Sequence, residues 1–369
     1  MIEDVLPLLL DKKRFLITTH VRPDGDAIGS QLALGFFLQK LGKQVAMINN
    51  DAVPDNLAWL PGADAIESFD SSVAHHEHIA EADVIVVVDT NALNRVGRKM
   101  ARPVKNSGAL KVLIDHHTEP ETWFDHTFAR DTASSTGELI YELIAAHDAA
   151  MIDRPIALAL YAAILTDTGG FRYSSVTPAV HRIIADVMER GAVRPEVVHA
   201  ALYEMRSPQW IRLLSQVLDT LQLRFDGVLS YLIISRRVLE DTGATTEDVE
   251  GFVSYGMAVA GVRVALIFTE TKRGTKISFR SKGDLYVNEW ARAFGGGGHR
   301  NASGAFVHRP LEAVIQAVME SAPRYLGLSD PAPNPDGPAN NQGEADTDGA
   351  LSPEDAAYLS IMQEMKAQR

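Results

Sequence analysis

His20, Asp24, Asp26, Asp89, Asp115, His116, His117 and Asp167 are metal-ligating or proton-transferring side chains, and each follows an apolar run. Arg14–Thr19 stops at His20, with Pro23-Asp24-Gly25-Asp26 just beyond. Val84–Val88 stops at Asp89, Leu110–Ile114 at Asp115-His116-His117, and Leu158–Leu165 at Thr166-Asp167-Thr168-Gly169. In an open parallel α/β sheet, ligands bind outside the carboxyl ends of the strands. Carboxylates and imidazoles arriving at several such ends predict one polynuclear metal site. If the first loop is extended, Asp24 and Asp26 project the same way and each serves a different ion of an adjacent pair. Gly25 between them then removes bulk where the backbone approaches the ions. Asp89 can bridge both ions, and His116 and Asp167 can complete the second. Four carboxylates and two imidazoles suit Mn²⁺ or Mg²⁺, and the imidazoles favour Mn²⁺. Two ions about 3.5–4 Å apart would clamp an in-line phosphoryl displacement. Taken singly, an Asp at a strand end is more often a cap or a turn former. The joint pattern carries the metal assignment. His75, His76 and His78 sit in a polar stretch and receive no role.

Stacked βαβ units must position these groups. Strands are expected at Arg14–Thr19, Gln44–Ile48, Asp83–Val88 and Leu110–Ile114. Helices are expected at Ala27–Leu41, Ser134–His147, Pro155–Leu165 and Pro178–Arg190. Asp167 then falls just past a helix end, and Gly191 acts as a C-terminal glycine stop. Val193 to about Gln222 is helical, without ligand-type residues, and reads as a connector. Alternating runs at Val228–Ser235, Val262–Glu270 and Thr275–Arg280 predict a second, mixed sheet. A helix over Leu285–Phe294 leads into Gly295–Gly298, His299 and Arg300. Asp330–Gly349 is expected to be disordered. Beyond it, Ser352-Pro353 caps a short amphipathic helix with Tyr358, Ile361, Met362 and Met365 on one face.

The chain has 369 residues, enough for two domains, with 46% apolar residues and no cysteine. Disulfides, thiolate catalysis and Cys-ligated metals are thereby excluded. Met1–Leu10 lacks the basic start of a signal peptide, and no apolar stretch is long enough to span a bilayer. A cytoplasmic protein without a membrane partner is expected. The net charge of −13 argues against long duplex DNA as the main partner. Beyond Leu326 there are eight acidic residues and two basic ones, so the preceding part is only mildly acidic.

Glycines Gly296, Gly297 and Gly298 offer unencumbered backbone N–H groups to an anion. With His299, Arg300 and Arg280 they predict a phosphate-binding rim. Arg95, shortly after Asp89, is a candidate phosphate clamp, since arginine suits bidentate contact. Arg172 is equally a surface residue, and Tyr286 and Trp290 read as core. A small cleft between two domains would admit oligonucleotides of a few residues and exclude long folded RNA.

His20-Val21-Arg22-Pro23-Asp24-Gly25-Asp26-Ala27-Ile28-Gly29-Ser30, Val88-Asp89-Thr90, Asp115-His116-His117 and Thr166-Asp167-Thr168-Gly169 resemble the four motifs of the DHH phosphoesterases. Gly295–Gly298 with His299 and Ala302-Ser303-Gly304 resembles the glycine-rich motif of the DHHA1 domain. The similarity covers residues 1 to about 326. Length and domain pair look most like the bifunctional oligoribonuclease/PAP phosphatases of that family. The resemblance implies an α/β fold. A parallel-sheet DHH domain (1–190) is joined by a helical linker (191–222) to a smaller mixed-sheet DHHA1 domain (223–326), followed by an acidic tail (327–369). It also implies that His20, Asp24 and Asp89 hold one Mn²⁺, and Asp26, Asp89, His116 and Asp167 the other. Asp115 would orient His116, and His117 would face the scissile phosphate and assist the leaving oxygen. A homodimer is plausible from the family alone. The expected activity is hydrolysis of short oligoribonucleotides to 5′-mononucleotides, with removal of the 3′-phosphate of 3′-phosphoadenosine 5′-phosphate (PAP) as a second activity, and the expected partners are short single-stranded RNA or DNA oligonucleotides or nucleotides. The alternatives are a cyclic or linear dinucleotide phosphodiesterase, a manganese pyrophosphatase, which would lack the glycine-rich motif, and a non-catalytic nucleotide-binding regulator.

Overall fold

Val84-Ile85-Val86-Val87-Val88 can bury side chains on both faces only in the middle of a covered parallel sheet. All five are inaccessible, at about 1.5–3 kcal/mol of stabilisation per side chain. The computed structural model describes residues 2–245, 248–249 and 251–328. The chain divides into two units, Met1–Ser207 and Pro208–Arg369.

The first unit runs α1 (Ile2–Asp11), β1 (Arg14–Thr18), α2 (Gly25–Lys40), β2 (Gln44–Asn49), β3 (Ile66–Ser68), α3 (Val73–Glu81), β4 (Val84–Val88), α4 (Ala101–Asn106), β5 (Leu110–Asp115) and β6 (His126–Ala129). Helices α5 (Thr136–Asp148), α6 (Arg154–Asp167), α7 (Pro178–Gly191) and α8 (Pro195–Tyr203) follow. Among the described residues its sheet has six strands in the order β3-β2-β1-β4-β5-β6, all paired in parallel. The chain moves outward one way from β1 and then restarts on the other side at β4. The crevice between their carboxyl ends is thus the topological switch point.

Helices α2 and α6 are buried almost all round, as expected of helices covered on every side. They pack backbone to backbone. A side chain at Gly25 would collide with Thr166, and one at Gly29 with the Ala159 carbonyl and Ala163. Gly25 is therefore small where α6 crosses it. Gly191 is not the glycine stop of α7. It is the last helical residue and lies against Ala157, and Ala192 takes the left-handed position at φ 45°. Helix α6 extends through Asp167, two residues beyond the expected end at Leu165, so Asp167 is its last residue rather than just past it.

The second unit comprises α9 (Pro208–Leu218), β7 (Gln222–Arg224), β8 (Leu229–Ile234), α10 (Arg236–Thr242), α11 (Val253–Met257), β9 (Val264–Thr271), β10 (Gly274–Ser281), α12 (Asn288–Ala293), β11 (Gly297–His299), β12 (Ala302–Val307) and α13 (Leu311–Tyr325). Its sheet order is β11-β12-β10-β9-β8-β7. Only β8 and β9 pair in parallel among the described strands, so the sheet is mixed. The stretch read as a connector is shared out: Val198 and Leu202 of α8 join the first core, while Trp210, Leu213 and Val217 of α9 join a core of the second unit. No helix among the described residues is long and apolar enough to cross a membrane. The expected disordered stretch 330–349 and the tail helix beyond Ser352 lie outside the described residues.

Candidate metal centre

Asp24 caps the N-terminus of α2, and one carboxylate oxygen accepts from the N–H groups of Asp26 and Ala27, at 3.1 Å each. The local chain is therefore a helix start and not an extended segment. The two carboxylates consequently differ: Asp24's side chain is 52% exposed and Asp26's 1%. Asp89, immediately after β4, has φ +57°. Such a left-handed conformation costs a non-glycine residue about 1–3 kcal/mol and tends to persist at functional sites.

Around these carboxylates the imidazoles close in. His20 Nε2 lies 3.3 Å from Asp89 Oδ2 and 3.9 Å from Asp24 Oδ1. His116 Nε2 lies 3.4 Å from Asp167, 3.6 Å from Asp89 Oδ1 and 3.8 Å from Asp26. His20 Nδ1 donates to the Val21 carbonyl at 2.9 Å, and His116 Nδ1 to that of Ala133 at 3.4 Å. Each ring is thus held with Nε2 turned toward the carboxylates. Donor atoms within 4.8 Å of one another form the groups His20–Asp24–Asp89, Asp26–His116–Asp167 and Asp89–His116–His117.

Asp115 does not support His116. Its Oδ1 accepts from His117 Nδ1 at 2.7 Å, because Asp115 and His117, two residues apart as the chain leaves β5, turn to the same side. His117 also borders a pocket of about 400 Å³ with Thr118, Thr127 and Arg130.

The electrostatics are those of an over-concentrated anion. Burial, then the carboxylates of Asp26, Asp24, Asp167 and Asp115, push Asp89 well above the usual carboxylate range. Burial also raises Asp26, and burial with Asp26 nearby raises Asp167 to about 7. Burial works against a charge on His116, but Asp26, Asp167 and Asp115 outweigh it and the pKa rises. Burial lowers that of His20, with Arg95 among the minor contributors. Among the described residues the ion-pair partners of Asp26, Asp89 and Asp167 are imidazoles only. A buried oxygen-rich set without a cationic side chain fits divalent cations of the Mn²⁺ or Mg²⁺ kind.

Sequence reasoning missed the N-terminus of α5. The N–H groups of Thr136 and Gly137 donate to Asp26 at 2.6 and 2.8 Å, and Ser30 Oγ donates at 3.1 Å. The available signal was Ser135 three residues before Glu138, a capping-box spacing that marks a helix start.

With that geometry in view, the comparisons with known proteins align. Residues 14–164 match the DHH family, N-terminal domain, and residues 228–325 match the DHHA1 domain. A bifunctional oligoribonuclease and PAP phosphatase of Thermus thermophilus is 33% identical over 317 residues, 84% of this chain and 90% of the relative. The chain belongs to the DHH family. A second relative of the same description, from Bacillus subtilis, is 27% identical over 81% of this DHH chain and 90% of its own length. An exopolyphosphatase-related protein of Bacteroides fragilis has the same fold, with a TM-score of 0.83 at 32% identity over 88% of this chain and 97% of that one.

The DHHA1 residues expected to meet substrate lie on neighbouring strands. Arg280 on β10 pairs with Ala302 on β12, which pairs with His299 on β11. The three stand in one row. Gly296 and Gly298 have their own reason to be glycine, since a side chain at either would strike the β12 backbone, while the space at Gly297 is open. Arg300 lies over the Tyr286 ring, 5.4 Å from its centroid. Tyr286 is exposed, unlike the buried Trp290, which corrects the expectation that both are core. His75 is buried and bonded to Asp70 and Glu67 at 2.8 and 3.0 Å, an anchor for α3.

Proposed function

We propose that this protein hydrolyses short oligoribonucleotides to 5′-mononucleotides and removes the 3′-phosphate of PAP. One observation carries this: His20, Asp24, Asp26, Asp89, His116 and Asp167 converge at the switch point between β1 and β4. Membership of the DHH family and the printed activities of its relatives support the substrate class.

His20, Asp24 and Asp89 would hold one divalent cation, and Asp26, Asp89, His116 and Asp167 a second, with Mn²⁺ favoured by the imidazoles. Such a pair supplies Lewis-acid polarisation and a clamp on an in-line phosphoryl displacement. The chain's own residues supply the rest. Asp115 accepts the His117 Nδ1 proton, which leaves Nε2 as the atom that can pass a proton to the leaving oxygen. Arg95 would grip a non-bridging phosphate oxygen. In the second unit, Arg280, Arg300, Gly296 and the strand β11 with Gly297, Gly298 and His299 would bind nucleotide phosphate.

A substrate panel tests this: dinucleotides, five-mers, longer single strands, PAP, cyclic dinucleotides and pyrophosphate, each with Mn²⁺. Turnover of five-mers and PAP is expected. Turnover confined to cyclic or linear dinucleotides would establish the narrower phosphodiesterase instead, and no turnover of any would leave a nucleotide-binding regulator.

A further inference from the structure

The segment from Ala133 to Gly137 touches three of the ligand side chains without being a ligand itself. The Ala133 carbonyl accepts from His116 Nδ1. Thr136 does more, because it meets two carboxylates with two different atoms. Its N–H donates to Asp26 Oδ2 at 2.6 Å and its hydroxyl to Asp89 Oδ1 at 3.1 Å. Asp26 is on the first turn of α2 and Asp89 follows β4, so one residue ties two elements at the point where their carboxylates meet. Thr136 is fully buried, and its place is secured from behind. Arg130 bonds Glu138 and both oxygens of Glu142, while Glu138 accepts from the Ser134 N–H at 2.7 Å.

We infer that Thr136 is a positioning residue whose hydroxyl sets the orientation of Asp89, the carboxylate common to both cation sites. The inference rests on the two-cation function proposed above. Asp89 leaves its strand in a left-handed conformation, and among the described residues its side chain otherwise faces imidazoles. A hydroxyl donor costs the site no positive charge, and it engages Oδ1 while Oδ2 faces His20. It also selects the carboxylate rotamer before any cation arrives. Because Asp89 belongs to both groups, losing the hydroxyl should weaken both cations together.

Thr136→Val keeps the branched shape and the backbone N–H to Asp26 while deleting the hydroxyl. Thr136→Ser restores it. Chelator-treated full-length protein would be titrated calorimetrically with Mn²⁺ alone, and Mn²⁺ electron paramagnetic resonance would report on the bound pair. Thr136→Val is expected to bind Mn²⁺ about 10- to 100-fold more weakly, the usual effect of losing an outer hydrogen-bonding partner of a ligand. At saturating Mn²⁺ its kcat should fall with little change in KM, and Thr136→Ser should recover both. A Thr136→Val protein with wild-type Mn²⁺ affinity and spectrum would overturn the assignment, even if its melting temperature fell. So would a serine variant that fails to recover. Wild-type protein that takes up no Mn²⁺ would sink the two-cation function itself, and the positioning role with it.

Discussion

Asp115-His116-His117 divides its labour by side-chain direction. His116 turns toward Asp26, Asp89 and Asp167, while Asp115 and His117 bond each other. The pair has the logic of a carboxylate that fixes an imidazole tautomer. Asp115→Asn is therefore expected to lower kcat by about 10²-fold or more, the scale of a lost general acid, with Mn²⁺ stoichiometry retained. Loss of Mn²⁺ binding in that variant would return Asp115 to the support of His116. Asp89→Ala should remove measurable hydrolysis. Its cation-free fold should remain intact, because the substitution deletes a carboxylate that burial already disfavours. Persistent turnover in that variant, followed by product chromatography, would defeat the two-cation arrangement.

Elements hold these residues through close approach. Asp26 rides on α2 and Asp167 on α6, and the two helices touch along Gly25, Gly29, Ala159, Ala163 and Thr166. Intrinsic helix propensity alone would make Gly29→Ala stabilising by about 1 kcal/mol. The collision with the Ala159 carbonyl reverses the sign, and a loss of about 1–3 kcal/mol is expected from overpacking. Denaturant unfolding measures it directly. The same variant should weaken Mn²⁺ binding, since spreading the helices separates Asp26 from Asp167. An Ala variant more stable than wild type would show that the helices can yield.

For the whole molecule, the buried acids make stability and cation binding depend on pH together. Asp167 releases its proton near 4 in the unfolded chain but only at about 7 when folded. Between those values the unfolded state binds fewer protons, so the cation-free fold loses stability as pH rises. Below about pH 4 that contribution is fully present, and it is gone once pH exceeds about 7. Melting curves with chelator should therefore decline across this window, and the gain on adding Mn²⁺ should be largest at its upper end. Asp167→Asn should flatten the decline. An equal slope in wild type and variant would contradict the raised pKa. In the second unit, Arg280→Ala should raise KM for PAP and oligonucleotides with a smaller effect on kcat. Steady-state kinetics that show no change in either would remove β10 from substrate recognition.

The carboxylate and imidazole residues that converge, their order and the two-unit α/β plan were legible in the chain. Apolar runs that end in Asp or His are local patterns, and periods of 2 and 3.6 report burial directly. The separation of Asp24 from Asp26 and the company of His116 and Asp167 were read from position, while the place of His20 beside Asp24 and Asp89 came through resemblance to a family. Tertiary structure decided what depends on direction across distant segments. It showed that Asp115 serves His117, that Gly25 and Gly191 are small where α6 passes them, and that Thr136 and Gly137 hold Asp26 from 110 and 111 residues away. Spacing along a chain constrains which residues share a face. Which atoms then meet is set by how α2, α5 and α6 pack against one another, and no local pattern encodes that.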